Sequence, residues 1–263
     1  MLACVVNVSE GRRADVIAAV ADAAGDHCLD VHSDADHHRS VFWLAGPNTR
    51  DASGALTVKA LELLDLRGHA GVHPRIGVVD VVPFVPLAGS SIDEAADARR
   101  AFSEWAGHDL ELPCFLYGDD VRSLPELRRA AFTSLAPDFG PTEPHPSAGA
   151  CAVGARRALV AYNLWLASPD LAAARAVAAN LRSADVRTLA LPCGDYVQVS
   201  CNLVNPTVIG PAEIYDAVAA RAQIARAELV GLIGSDVLAR VPRNRWRELD
   251  LDEDRTLEAR LPN

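Results

Sequence analysis

The chain has 263 residues, half of them apolar and 23% charged, with 17 glycines and 16 prolines spread along its length; this excludes a disordered, collagen-like or low-complexity protein and fits one large α/β domain or two smaller subdomains. Twenty-five basic residues against thirty-five acidic ones give a net charge of −10, and no run of basic residues is long enough to form a nucleic-acid-binding stripe. No segment approaches the roughly 20 apolar residues needed to cross a bilayer, and residues 1–11 lack the cationic and apolar regions of a signal peptide, so we expect a cytoplasmic protein without nucleic-acid or membrane partners.

Apolar residues 2–8, the polar turn Ser9-Glu10-Gly11 and a helical pattern through Ile17, Val20 and Ala24 predict strand, turn, helix. Two strands, 29–32 and 40–45, flank a polar turn at 33–39. Asp51 opens a helix carrying Leu56, Val58, Leu61 and Leu64, and a loop at 67–75 leads into a long strand at 77–85. The order β-α-β-β-α-β is the split-βαβ arrangement of ferredoxin-like units. A helix at 91–105 capped by Ser91, a strand at 113–117 and a helix at 124–135 extend this half. Residues 136–149, with Pro137, Gly140, Pro141, Pro144 and Pro146, are too rich in proline for regular structure and mark a boundary.

Beyond the boundary the pattern restarts, with strand 158–166, helix 171–181, strands 186–191 and 196–203, and helix 211–225. The tail, with Asp250, Asp252, Glu253 and Asp254, reads as a mobile or edge-packed end. The expectation is therefore an α/β (α+β) protein of two ferredoxin-like βαββα subdomains, 1–148 and 149–242, with mixed or antiparallel sheets and a cleft or tunnel between them, followed by an acidic tail at 243–263.

Six cysteines, Cys4, Cys28, Cys114, Cys151, Cys193 and Cys201, form no C-x-x-C pair and read as reduced core thiols. The histidines carry more information, because His32, His37 and His38 lie in or beside one turn while His69 and His73 bracket another. Together with Asp34 and Asp36 they offer metal-ligand types, and His69-x-x-x-His73 imitates the spacing by which a helix presents two imidazoles to zinc. Gly68 and Gly71 weaken a helix there, and Pro74 disfavours the helical conformation for His73. A solvated polar turn and acid–base chemistry are the other two readings. In the last, His73 relays a proton and the planar fork of Arg75 holds a substrate carboxylate.

Residues 149–156, Gly-Ala-Cys-Ala-Val-Gly-Ala-Arg, invite comparison with a phosphate-cradling loop. The comparison fails, because Gly154 is followed by Ala155 and Arg156 rather than by Lys and Ser or Thr. A flexible glycine loop ending in Arg156 and Arg157 remains able to bring backbone amides to a flat ligand, and an interdomain connector is the plainer reading.

Taken together, residues 4–12 (CVVNVSEGR), 36–41 (DHHRSV), 68–77 (GHAGVHPRIG), 80–86 (DVVPFVP), 116–118 (LYG), 137–141 (PDFGP) and 149–156 resemble the formiminotransferase domain of the glutamate formimidoyltransferases, and 197–203 and 227–232 extend the likeness. The resemblance implies a transferase, usually dimeric, that binds tetrahydrofolate between two subdomains and moves a formimino group to its N5 from N-formimino-L-glutamate. It implies that His73 of the His-Pro-Arg motif is catalytic and that Gly149, Ala150, Cys151, Gly154, Arg156 and Arg157 contact folate; no metal is expected. Both substrates carry carboxylates, for which Arg39, Arg75, Arg156 and Arg157 are the candidate partners, with His38 and Asp36 beside the first two. Two positions depart from the family pattern, His32 where an acid is common and His38 where asparagine is common. The alternatives are a transferase of the same fold using another formimino or formyl donor, and a non-catalytic folate- or metal-binding homologue.

Overall fold

Valines at 5, 6 and 8 suit a pleated strand buried on both faces, and Leu2–Val8 (β1) lies in the middle of a six-stranded sheet. The computed structural model describes residues 1–261, and the chain divides into two units, Met1–Arg157 and Ala158–Asn263. In the first unit β1 pairs antiparallel with Arg39–Gly46 (β3) and Val79–Pro86 (β4), and Cys28–Asp34 (β2) pairs antiparallel with β3. Helices Ala14–Asp22 (α1) and Thr49–Leu63 (α2) complete the expected β-α-β-β-α-β order. Val20, Leu56, Ala60 and Phe102 pack with Cys4, Phe42, Leu44 and Phe84 into one core on the helical side of the sheet.

The extension contains helix Ile92–Asp109 (α3), strand Cys114–Gly118 (β5) and helix Leu124–Ala130 (α4). Reciprocal capping boxes set both helix starts: Ser91 with Glu94, and Ser123 with Glu126. The second helix ends five residues before the expected Leu135, because the chain turns back at Phe132 with φ of +58°.

Residues 149–156 differ from the expected flexible glycine loop. Cys151–Ala155 is a strand (β6), inserted between β4 and β5 and parallel to both, so the sheet order is β2-β3-β1-β4-β6-β5. It is no flexible loop and opens no second subdomain. The division between units falls after Arg157 rather than at 148/149, and the proline-rich segment is the crossover that leads into β6. Gly154 faces Tyr117 across the ladder, and any Cβ there would collide with the tyrosine ring. Glycine is therefore required by the packing of an aromatic cross-strand neighbour. Val81, Phe115, Tyr117, Leu127 and Ala152 form a second cluster, so this end of the sheet is covered on both faces.

In the second unit, Val160–Leu166 (β7), Leu171–Leu181 (α5), Val186–Cys193 (β8), Tyr196–Leu203 (β9) and Pro211–Ala219 (α6) follow the expected order. Helix α6 stops six residues before the expected Ala225, and Ile224–Val230 forms a further strand (β10). The unit is thus a complete βαββαβ, with antiparallel order β10-β7-β9-β8. Of the two readings of the tail, packing at the sheet edge is the one observed. Leu249 and Leu251 are buried, Tyr162 Oη donates to the carbonyl of Leu249 at 2.7 Å, and Leu229 N of β10 donates to Asp250 Oδ2 at 2.8 Å. Among the described residues, no helix is long and apolar enough to cross a membrane.

Candidate functional site

Two loops of the first unit meet at the ends of β3 and β4. The 34–38 turn is folded by Asp34, whose Oδ1 accepts the N–H groups of Asp36 and His37, both at 2.8 Å. His38 then takes a φ of +50°, and Arg39 begins β3. The second loop, 66–77, lies against the first, with Val72 N donating to the carbonyl of Asp36 at 3.1 Å. A Cβ at Gly71 would strike His37 and Arg75, so this approach requires glycine.

Arg75 fastens the loops together. Nη2 donates to the carbonyls of His37 (2.7 Å) and His73 (3.0 Å), while Nη1 donates to the carbonyl of His38 (3.1 Å) and faces His69 Nε2 (3.0 Å). Four of the five guanidinium N–H groups are thereby engaged inside the protein. The expectation that Arg75 grips a substrate carboxylate gives way to a positioning role, because its fork is already filled by main-chain carbonyls.

His73 Nδ1 lies 2.8 Å from the carbonyl of Pro74, an acceptor, so Nδ1 carries the ring hydrogen. Nε2 therefore holds the lone pair, and Arg39 Nη1 lies against the ring, 2.9 Å from Nε2 and 3.2 Å from Nδ1. Burial, then the cations Arg39 and Arg128, hold His73 well below the usual imidazole range. The ring is neutral at pH 7. Burial pulls Arg39 itself down to about 10, which leaves it charged.

Behind this pair lies Asp80 of β4, fully buried. Its Oδ1 accepts from Ile76 N at 2.7 Å, and its Oδ2 pairs with Arg128 Nη2 of α4. The same carboxylate is a favourable charge for Arg39 and Arg75. One buried acid therefore balances a cluster of arginines around a neutral histidine.

His38 and His69 form the adjoining wall, with ring centroids 4.0 Å apart. Gly11 N donates to His38 Nδ1 at 3.1 Å, and burial lowers the His38 pKa. Burial, then Arg75, pulls His69 down to about 4. Both rings face a cleft of about 270 Å³ that is also lined by Glu10, Arg12, Arg13, Asp65 and Arg67. Glu10 is buried, which raises its pKa, but N–H bonds from Arg12 and Arg13 outweigh this and leave the pKa lowered.

The structure thus brings together His73, Arg39, Arg75 and His38, with Asp36 contributing its main chain. Residues 149–157 divide. Gly149, Ala150, Cys151 and Gly154 are buried, with Ala150 N bonded to the carbonyl of Ile76 and Cys151 N to that of Pro113. These amides are taken, which corrects the expectation that they cradle a flat ligand. Arg156 and Arg157 follow the opposite end of β6, which at about 3.3 Å per residue lies on the order of 13 Å from its start. They stand apart from His73, and Arg156 bonds the hydroxyl of Tyr117. Sequence reasoning missed Arg128, which sits on a short helix with no local signal, and missed the roles of Glu10 and Asp80, whose partners come from distant segments. Among the described residues, no group of three or more His, Cys, Asp or Glu side chains is arranged to hold a metal ion.

A ferredoxin-like α/β unit that holds one neutral imidazole between a main-chain acceptor and an arginine has the make-up of an acid–base catalyst. Comparison with known proteins gives that class a family. The profile of the formiminotransferase domain, N-terminal subdomain, matches residues 1–156. The glutamate formimidoyltransferase of Thermoplasma acidophilum is 31% identical over 297 residues, spanning 99% of this chain and 97% of that protein. That of Streptococcus pyogenes serotype M1 is 32% identical, spanning 91% of this chain and 88% of its own length. The formimidoyltransferase-cyclodeaminase of Sus scrofa is 34% identical over 89% of this chain, which spans half of that protein. The chain belongs to the formiminotransferase family.

Proposed function

We propose that this protein transfers a formimino group from N-formimino-L-glutamate to N5 of tetrahydrofolate, releasing L-glutamate. The observation that carries the reading is the neutral His73 ring of the His-Pro-Arg loop, with Nδ1 bonded to the Pro74 carbonyl, the lone pair on Nε2, and Arg39 against the ring. The names of the relatives that match nearly end to end support the substrate pair.

N5 attacks the formimino carbon and gives a tetrahedral adduct; the N5 hydrogen must leave and the glutamate nitrogen must gain one before the C–N bond breaks. Nε2 of His73 serves both transfers, taking the proton from N5 and returning it to the departing amine, so nothing is gained or lost overall. Such acid–base assistance contributes roughly 10²–10⁴-fold. The depressed basicity of His73 sets the balance between the two steps. An imidazolium beside Arg39 and Arg128 is a strong acid, which favours the second transfer, the one needed to expel a basic amine.

Of the segment that the resemblance assigns to folate, Arg156 and Arg157 are the members with exposed atoms, and the folate carboxylates are assigned to them. The reading carries a homodimer, as the resemblance implies, working in the cytoplasm, and asks no metal of the protein. Incubation of metal-stripped protein with both substrates, followed by mass spectrometry, is expected to yield 5-formiminotetrahydrofolate and glutamate in equal amounts. Absence of both products, with another amidine donor consumed in their place, would replace the donor.

A further inference from the structure

The cleft beside His38 and His69 carries three arginines and two acids, and the acids are not shared equally. Arg13 Nε pairs with Glu10 Oε2 at 2.6 Å. Arg67 lies along the carboxylate of Asp65, with Nε at 3.0 and 2.9 Å from its two oxygens. Arg12 has no acidic partner among the described residues. Its Nε donates to the carbonyl of Ala35 at 2.9 Å, which anchors the guanidinium to the turn that carries His37 and His38 and leaves both terminal nitrogens unengaged. In a chain of net charge −10, an uncompensated, anchored fork on the wall of a cleft floored by two site histidines is a receptor for a carboxylate.

We infer that Arg12 binds the γ-carboxylate of the donor and selects a dicarboxylic donor over its neutral amide. The inference rests on the formimino-transfer reading. Five bonds separate the formimino carbon of N-formimino-L-glutamate from its γ-carboxyl carbon, so the two groups reach neighbouring subsites rather than one. Arg12 is bonded to Ala35 of the turn that carries His38, and His38 packs on His69 of the His73 loop, where Arg75 contacts both His69 and His73. Arg75, with its fork filled by carbonyls, leaves this task open, and Arg12 supplies the planar pair of N–H donors that a carboxylate matches.

The test compares N-formimino-L-glutamate with N-formimino-L-glutamine as donors for the wild type, Arg12→Gln and Arg12→Lys. One charge-assisted bond to a carboxylate corresponds to roughly 10- to 100-fold in kcat/KM. The wild type is expected to prefer the glutamate donor by such a factor, Arg12→Gln to bring the two donors near parity, and Arg12→Lys to keep part of the preference. A disturbed turn would lower both donors together and leave the ratio intact, so an unchanged ratio in Arg12→Gln overturns the inference. If the wild type transfers from neither donor, the transfer reading fails by itself. Calorimetry with N-formimino-L-glutamate then decides the subsite: affinity weakened tenfold or more in Arg12→Gln supports it, and equal affinity rejects it.

Discussion

Arg39 Nη1 stands 2.9 Å from Nε2 of His73 and 3.2 Å from Nδ1, so the ring that must accept a proton lies against a permanent cation. The arrangement makes His73 a weak base and, once protonated, a strong acid. In Arg39→Gln the cation is gone and the His73 pKa rises toward its ordinary value. The acid limb of kcat/KM against pH, expected below pH 6.5 in the wild type, is then displaced upward. An acid limb at the same pH in both proteins would remove Arg39 from this role.

Asp80 is the buried counter-charge for the whole cluster, bonded to Ile76 N and paired with Arg128. Removing one partner of a buried pair leaves the other uncompensated, at about 3–5 kcal/mol. Asp80→Ala is expected to lose stability on that scale in denaturant unfolding, and Arg128→Met less, because the carboxylate keeps its bond from Ile76 N. Equal, small losses in both would show that the pair is not stabilising.

The depressed histidines also tie stability to pH. His69 is held at about 4, against 6.5 for a free imidazole, so the unfolded chain binds its proton more tightly than the folded one. Its contribution is complete above about pH 6.5 and is lost as the pH falls from there toward about 4. Urea midpoints measured across that window are expected to decline on acidification, with a shallower slope in His69→Gln. A slope unchanged by the substitution would exclude His69 as a source.

At Gly154 a methyl group has no space beside Tyr117. Gly154→Ala overpacks the ladder between β5 and β6 and is expected to destabilise by about 1–3 kcal/mol, measured as a lower unfolding midpoint. Gly154→Ala combined with Tyr117→Ala should recover part of the loss. Independent, additive losses would place the strain elsewhere.

The sequence carried the fold wherever periodicity and caps agreed. The β-α-β-β-α-β order of the first unit was readable because each strand is flanked by a polar turn and each helix has its own apolar stripe. Strand β6 escaped because its glycine, a loop signal in isolation, is a packing requirement visible only with Tyr117 beside it. Strand β10 was hidden by Ala-Arg-Ala-Glu at residues 225–228, residues of good helix propensity, overridden by pairing with β7. In the site, His73 was legible through the loop that holds it. The task of Arg75 was not, since three main-chain carbonyls from two loops converge on it only after folding. Arg12 carried no mark in its own segment; what distinguishes it is the pairing of its neighbours with Glu10 and Asp65.

On the proposed function His73 moves the proton in formimino transfer. The decisive measurement is turnover of tetrahydrofolate and N-formimino-L-glutamate by the wild type and His73→Ala, with tetrahydrofolate affinity determined for both. The expected result is a loss of roughly 10²–10⁴-fold in kcat with folate affinity retained. Equal turnover by the two proteins would contradict it.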